Sequence, residues 1–285
     1  MSRGIRVRPA SLADREGILA ISRRIWEGED YVSHVLDRWL REGGLFVAEL
    51  GGKVVGFAKN TELGPGEIWL EGLRVDPDHQ GKGVAKALAR AQLEAARAKK
   101  PRSIRLATVE ENRVSLHIAA ELGFSEIARF SYLETEAEET QGFPAVHRPE
   151  PKKAWSFIQR SRAYAEARGL LGLGWRFRTI TLDFLGELCQ EGNVFGLGSP
   201  LAGLIILVPD PYTPKDILVL AFLDGEEEVL ESLLRVAQAE AAKRGGRILS
   251  AMVADPWLHT FLSRRGFQGI PELGAVVVWQ HALAS

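Results

Sequence analysis

Cysteine is almost absent from this sequence. Its 285 residues include a single cysteine, Cys189, which excludes an intrachain disulfide framework and any cysteine-built zinc site. A surplus of charge is missing as well: 36 Lys and Arg against 37 Asp and Glu leave a formal net charge of -1. Such a balance gives no bulk attraction to nucleic acid or to an anionic membrane. No apolar run is long enough to span a bilayer. The opening Met1-Ser2-Arg3-Gly4-Ile5-Arg6 lacks the apolar core of a signal peptide. The expectation is therefore a cytoplasmic protein, with neither nucleic acid nor membrane as partner. What is present is a hydrophobic content of 46% and a charged content of 26%, the balance of a soluble globular protein. The length suits two domains of ordinary size.

The most informative stretch is Trp69-Leu70-Glu71-Gly72-Leu73-Arg74-Val75-Asp76-Pro77-Asp78-His79-Gln80-Gly81-Lys82-Gly83-Val84-Ala85. An apolar strand runs into a glycine-spaced turn and then into an Ala/Leu-rich helix. Such a turn aims several backbone N–H groups of a helix N-terminus at one point, which attracts a phosphate or pyrophosphate. Glycine removes the Cβ that would hold the ligand off. Two better-known phosphate loops are excluded. The dinucleotide pattern G-x-G-x-x-G meets Lys86 at its third glycine, and nothing fits the pattern G-x-x-x-x-G-K-[ST].

Gln80-x-x-Gly83-x-Ala85 resembles the Q/R-x-x-G-x-G/A loop of the GCN5-related N-acetyltransferases, whose loop holds the pyrophosphate of acetyl-coenzyme A. The order of elements agrees. Ile5–Arg8 alternates as a strand, Ser11–Asp14 reads as a capping box opening a helix, and a second helix covers Tyr31 to Arg41. Two strands flank Gly51-Gly52, a hairpin signal. A strand over Glu67 to Val75 follows. The helix after Gly83 carries Val84, Leu88, Ala91 and Ala95 on one stripe. Ile104 to Val109 is a strand, Asn112 opens a helix closing at Gly123, and Phe124 onward returns as a strand pair. The fold class expected is α/β with a mixed sheet, the acyl-CoA N-acyltransferase fold.

Glu134, Glu136, Glu138 and Glu139, then Gly142, Pro144, Pro149 and Pro151, read as a charged, proline-stiffened break. Beyond it the first half recurs. Val194–Gly203 echoes the first hairpin, Arg247–Val253 the strand at Ile104, and Phe261–Phe267 the Ile118–Phe124 segment. Repetition on this scale implies a tandem pair, with domains at 1–136 and 154–285 and a linker at 137–153. The phosphate loop is not repeated. Asp224-Gly225-Glu226-Glu227-Glu228 stands in its place, and glutamates at a helix start would repel a pyrophosphate. The second domain reads as a degenerate copy that binds no coenzyme.

The resemblance implies an N-acetyltransferase that moves an acetyl group to a small amine or amino acid by direct transfer in a ternary complex, with no metal. It implies pyrophosphate contacts from Gln80, Gly81, Lys82, Gly83, Val84 and Ala85, with Lys86 and Arg90 on the same helix face as Lys82. It places the pantetheine arm along Leu73 and Val75, makes the Leu73 N–H an oxyanion donor, and brings Asn112, with Ser115 one turn on, to the arm. Glu71 is the candidate base. Period-two alternation puts Glu71, Leu73 and Val75 on one face, and a partly buried carboxylate suits a base. The pattern N-x-x-A-x-x-L-Y-x-x-x-G-F supplies an acid tyrosine in many relatives, but Ala119 holds that place. Tyr132, Tyr31, His117, Ser115 or water remain as acids. Trp26, Glu27, Glu29, Asp30, Tyr31 and Trp39 crowd one segment, which suits a cationic or zwitterionic amine as acceptor. Asp30-Tyr31 with Trp39-Leu40, and Glu71–Val75, also resemble the histidine N-acetyltransferase branch. The missing tyrosine leaves open a coenzyme A sensor without turnover. A protein acetyltransferase that docks its target on the second domain is a further alternative. A monomer or a homodimer is expected.

Overall fold

The computed structural model describes residues 4–138, 144–213, 215–271 and 273–283. Glu139 and Gly142 of the break, and Met1, Ser2 and Arg3, lie outside the described residues. Contacts group the chain into two compact units that are not consecutive stretches. The first comprises Met1–Leu106, Asn112–Ser125 and Trp279–Ser285, the second Ala107–Glu111 and Glu126–Val278.

In the first unit the order is β1 (Arg6–Pro9), a 3-10 turn (Leu12–Asp14), α1 (Arg15–Ser22), a second 3-10 turn (Trp26–Gly28), α2 (Val32–Glu42), β2 (Leu45–Leu50), β3 (Lys53–Gly64), β4 (Glu67–Val75), a third 3-10 turn (Pro77–His79), α3 (Val84–Ala98), β5 (Ser103–Val109) and α4 (Arg113–Glu121). Gly51 and Gly52 join β2 to β3 with φ of 58° and 77°, the left-handed pair a tight hairpin turn requires. β1 to β4 pair antiparallel in sequence order, and β4 then pairs parallel with β5. Ile68, Leu70, Leu93, Ala96, Ile104, Ala119 and Phe124 form one apolar cluster. Ala48, Val55, Ala58, Val84 and Leu88 form a second. The buried stripe of α3 is Val84, Leu88, Gln92 and Ala96, with Leu93 beside it. It runs at i, i+4 steps through a polar residue, which corrects the expected stripe through Ala91 and Ala95.

The remaining elements are β6 (Phe124–Glu136), α5 (Pro151–Ile158), α6 (Arg162–Glu166), β7 (Leu170–Leu173), β8 (Arg176–Thr179), α7 (Leu182–Gln190), β9 (Val194–Leu197), β10 (Gly203–Pro209), β11 (Ile217–Gly225), α8 (Glu227–Arg244), β12 (Ile248–Val253), α9 (Pro256–Ser263) and β13 (Ala275–His281). In the second unit β9, β10 and β11 pair antiparallel, and β11 pairs parallel with β12. This is the same sequence of pairings as β2 to β5, so the repeat read in the sequence is a repeat of topology. One expected detail differs. Phe124 onward is not a strand pair but a single 13-residue strand, whose antiparallel partner in the second unit is β12. Glu134 and Glu136 belong to it, and Pro151 is the first residue of α5.

Residues 279–283 belong to the first unit. Trp279 and Leu283 pack on the cluster around Ile104 and Phe124. Gln280 Oε1 accepts from Arg105 Nε at 2.7 Å, and Arg105 Nη1 donates to Glu67 at 2.7 Å.

Candidate functional site

β4 carries a bulge. Lys59 lies opposite Glu71 and Phe57 opposite Arg74, so Gly72 and Leu73 together face Ala58 alone. Gly72 has φ of 63°, a left-handed conformation suited to glycine at a bulge. The extra residue inverts the alternation. Ile68 and Leu70 face α3 before the bulge, and Leu73 and Val75 face it after. Glu71 therefore shares its face with Lys59, Thr61 and Arg74, not with Leu73 and Val75. This corrects the expectation of one common face. Gln92 secures the bulge from α3: its Nε2 donates to Lys59 O at 2.9 Å and to Glu71 O at 3.5 Å.

The Glu71 carboxylate is buried and accepts a hydrogen bond from Thr61 Oγ1. Parallel pairing of β4 with β5 covers Glu67–Trp69 against Ser103–Arg105. The described ladder stops there. The β4 backbone from Leu70 to Val75 thus presents an edge to which an extended ligand can add as a strand.

After β4 the chain turns through Pro77–His79, with Asp76 accepting from the Asp78 N–H at 3.1 Å. Arg24 reaches Asp76 at 2.7 Å and Asp78 at 2.9 Å, tying the turn to the end of α1. Gly81 and Gly83 have φ of 73° and 85°. Gly83 is the N-cap of α3 and caps it with no side-chain hydrogen bond. Gly81, Lys82 and Gly83 are exposed, while Val84 is buried beneath them. Gln80 is extended at the end of the turn. The N–H groups at Val84 and Ala85 are the orphan donors of a helix N-terminus, available to an anion. Lys82 donates to Asp78 O at 2.8 Å, and Lys86 pairs with Glu121 at 2.8 Å. Arg90 is exposed.

The segment expected to hold an acceptor is built around a cation of its own. Arg74 stacks 4.3 Å from the centre of the Trp26 ring and 5.5 Å from that of Tyr31. Its Nη2 donates to the buried Asp30 carboxylate at 3.1 Å, which also accepts from Ser22 Oγ at 3.0 Å. Asp30 is thus neutralised by the chain itself, against the expectation that it offers charge to an acceptor. Trp26 is 61% exposed and, with Glu27 and Gly28, has positive φ; Glu29 is exposed beside it. Tyr31 meets Trp39 edge-on at 6.1 Å.

The other candidates separate. Asn112 caps α4, accepting from the Ser115 N–H at 3.1 Å, and His117 is exposed near Glu121. Tyr132 belongs to the second unit. Its hydroxyl donates to Glu134 Oε2 at 2.7 Å and its ring stacks on Trp175. Burial, then the bond to Glu134, pushes the phenol well above its ordinary range. Sequence reading missed Arg74, Thr61 and Gln92. Only Gln92 leaves a local sign, as the polar member of an apolar i, i+4 stripe.

Among its described residues the second unit lacks both features of the first. Pairing of β11 with β12 ends at Leu220 and Ala251, but the gap beyond is closed by Tyr164, Leu171, Phe222, Met252 and Leu258, which leave a cavity of about 30 Å³. That is far below the roughly 300–1,000 Å³ of a ligand pocket. Glu227 and Glu228 occupy the first turn of α8.

The model of the acetyltransferase (GNAT) family matches residues 16–124. A histidine N-acetyltransferase of Scomber australasicus is 36% identical over 101 residues, 34% of this chain and 30% of that protein. A mycothiol acetyltransferase of Thermomonospora curvata is 33% identical over 106 residues, 36% of this chain and 35% of that protein. The chain thus aligns with about a third of the length of either relative. A tandem GNAT protein from the clavulanic acid biosynthesis pathway superposes with a TM-score of 0.60 at 16% identity, covering 99% of this chain and 100% of that one. That likeness extends the same fold over both halves.

Proposed function

We propose, on the match of residues 16–124 to the acetyltransferase (GNAT) family, that the protein moves the acetyl group of acetyl-CoA to a primary amine of a small molecule or amino acid. The observation that carries this reading is the uncapped start of α3 behind two left-handed glycines. An exposed helix N-terminus of this kind holds a diphosphate through Gly81 to Ala85, with Gln80 and Lys82 at its rim. Its sequel is the β4 edge from Leu70 to Val75, which takes the pantetheine arm and aims the thioester at the bulge.

Transfer then needs a base and an oxyanion donor. Glu71 removes a proton from the acceptor ammonium, directly or through one water. The amine nitrogen bonds to the thioester carbon, and the carbonyl oxygen gains charge against the Leu73 N–H. The C–S bond breaks, and the proton that the nitrogen sheds as it becomes an amide passes through water to the departing thiolate. Tyr132, already donating to Glu134, has no part in this reading. Asn112 and Ser115 remain contacts for the arm. Trp26, Glu29 and Tyr31 bound the acceptor, while Asp30 acts by holding Arg74. Relatives named for histidine and mycothiol acetylation support a small acceptor. The second unit, its gap filled, binds no coenzyme.

A thiol-release assay with acetyl-CoA and a panel of free amino acids and small amines tests this. Turnover on at least one amine, with one coenzyme per chain by titration, is expected. The buried Ala119, standing where relatives place a tyrosine, favours the second reading, a coenzyme A sensor. Tight binding with no turnover on any amine would establish that one.

A further inference from the structure

Thr61 and Lys59 put polar groups into the interior of the first unit where period-two strands would ordinarily place apolar ones. Both are buried, Lys59 at 2% exposure and Thr61 at 8%. They are alternate residues of β3, so they share one face. That face is also the face of Glu71, because Lys59 and Glu71 are register partners. Cross-strand partners have Cβ atoms roughly 5 Å apart. The Lys59 ammonium donates to Asn60 O at 2.8 Å and lies 3.6 Å from Glu42 Oε2. The buried ammonium thus has a carboxylate near it and a carbonyl to donate to, as its burial requires.

Thr61 is the more specific of the two. Its Oγ1 donates to Glu71 Oε1 from the diagonal position on the neighbouring strand. A β-branched residue on a strand has little χ1 freedom, so the hydroxyl is a fixed donor. A glutamate has three rotatable bonds, and holding it in one orientation opposes their entropy. Gln92 fixes the backbone beneath the same carboxylate from the opposite face. One residue thus sets where the strand bends, and another sets where its carboxylate points.

We propose that Thr61 is a positioning residue that orients the Glu71 carboxylate toward the acceptor amine. The inference rests on Glu71 being the base. Its test uses the full-length protein, acetyl-CoA and the amine panel, with three variants: Thr61→Val, Thr61→Ser and Glu71→Gln. Thr61→Val keeps the shape and removes the donor, while Thr61→Ser keeps the donor. The expected result is a fall in kcat of about tenfold or more for Thr61→Val, on the scale of a misplaced catalytic group. KM for acetyl-CoA stays unchanged, and Thr61→Ser recovers most of the rate. In protein labelled with [13C]glutamate, the carboxyl signal absent from Glu71→Gln should move in Thr61→Val and return in Thr61→Ser. A Thr61→Val enzyme with the wild-type kcat, while Glu71→Gln is inactive, overturns this proposal alone. A fully active Glu71→Gln enzyme, or no turnover on any amine, overturns the base assignment and this proposal with it.

Discussion

Gly72 rests against the indole of Trp39. A Cβ built on Gly72 would stand 2.6 Å from the ring's Cη2, and the Gly72 backbone has φ of 63°. Gly72→Ala therefore meets two penalties, a left-handed conformation and an overpacked contact with a wholly buried ring. The expected loss is about 2–4 kcal/mol of stability, measured by urea unfolding. Acetyl transfer should fall further than the stability loss explains, because the bulge places Glu71 and Leu73. A Gly72→Ala protein of wild-type stability would show that the chain relaxes there without cost.

The same residue shows how far the sequence is readable. Elements with local causes are legible: Gly51-Gly52 for the hairpin, Gly83 for the start of α3, and apolar runs for β4 and β5. A lone glycine inside a strand is a sign of a bulge, yet strict alternation carried across it puts Glu71 on the wrong face. What is not legible depends on register. Thr61 meets Glu71, and Arg74 meets Asp30, only once strands and helices distant in sequence are aligned. The acidic, aromatic segment at Trp26–Tyr31 looks ready for a foreign cation until Arg74 is seen to fill it. Nor does any local signal assign Trp279–Ser285 to the first unit rather than the second, since either could bury its apolar residues.

Asp14 anchors the start of α1. It accepts from Arg8 Nη1 at 2.8 Å and Nη2 at 2.7 Å, and from the Ser11 N–H at 2.7 Å. Its hydrogen bonds to Arg8 are the chief reason its carboxyl is held down at about 2. A folded value below the unfolded one means that the pair stabilises fully above about pH 4, and that this stability fades as pH falls toward 2. The expected contribution is about 2 kcal/mol at most. Unfolding free energies at pH 6 and pH 3 should differ less for Asp14→Asn than for the wild type. Equal pH dependence in the two proteins would remove Asp14 from the account.

Glu71→Gln removes the base while keeping the shape and the hydrogen bond from Thr61. With the proton acceptor gone, kcat should fall by about 10²-fold or more, a typical scale for general base loss. Coenzyme affinity should hardly change, because Glu71 lies on the face away from Leu73 and Val75. A drop in affinity with kcat intact would assign the carboxylate to binding instead.

Trp279 is a contribution of the chain's last strand to the core of the first unit, packed with Ile104 and Phe124. Trp279→Ala should cost about 3 kcal/mol. Hydrogen exchange should locate the damage in β4 and α3, remote in sequence from the substitution. Protection lost only in the second unit would mean that the terminal residues do not support the first.

Gly83→Asp probes the helix start directly. Gly83 has φ of 85° and caps α3 without a side chain. Aspartate adds bulk where a ligand must approach the backbone, and it brings an acceptor that satisfies the orphan N–H groups itself. Its charge also repels a diphosphate from the positive end of the helix. Aspartate is a favoured N-cap residue, which offsets part of the backbone strain, so the protein should stay folded. Acetyl-CoA binding, measured by calorimetry, should be lost, and the thermal stabilisation it confers should vanish. Gly83→Ala separates the causes: it carries the left-handed strain without the charge, and should weaken binding less than aspartate does. Should the aspartate variant bind acetyl-CoA as the wild type does, the diphosphate does not sit at α3, and the transferase reading loses the feature on which its geometry depends.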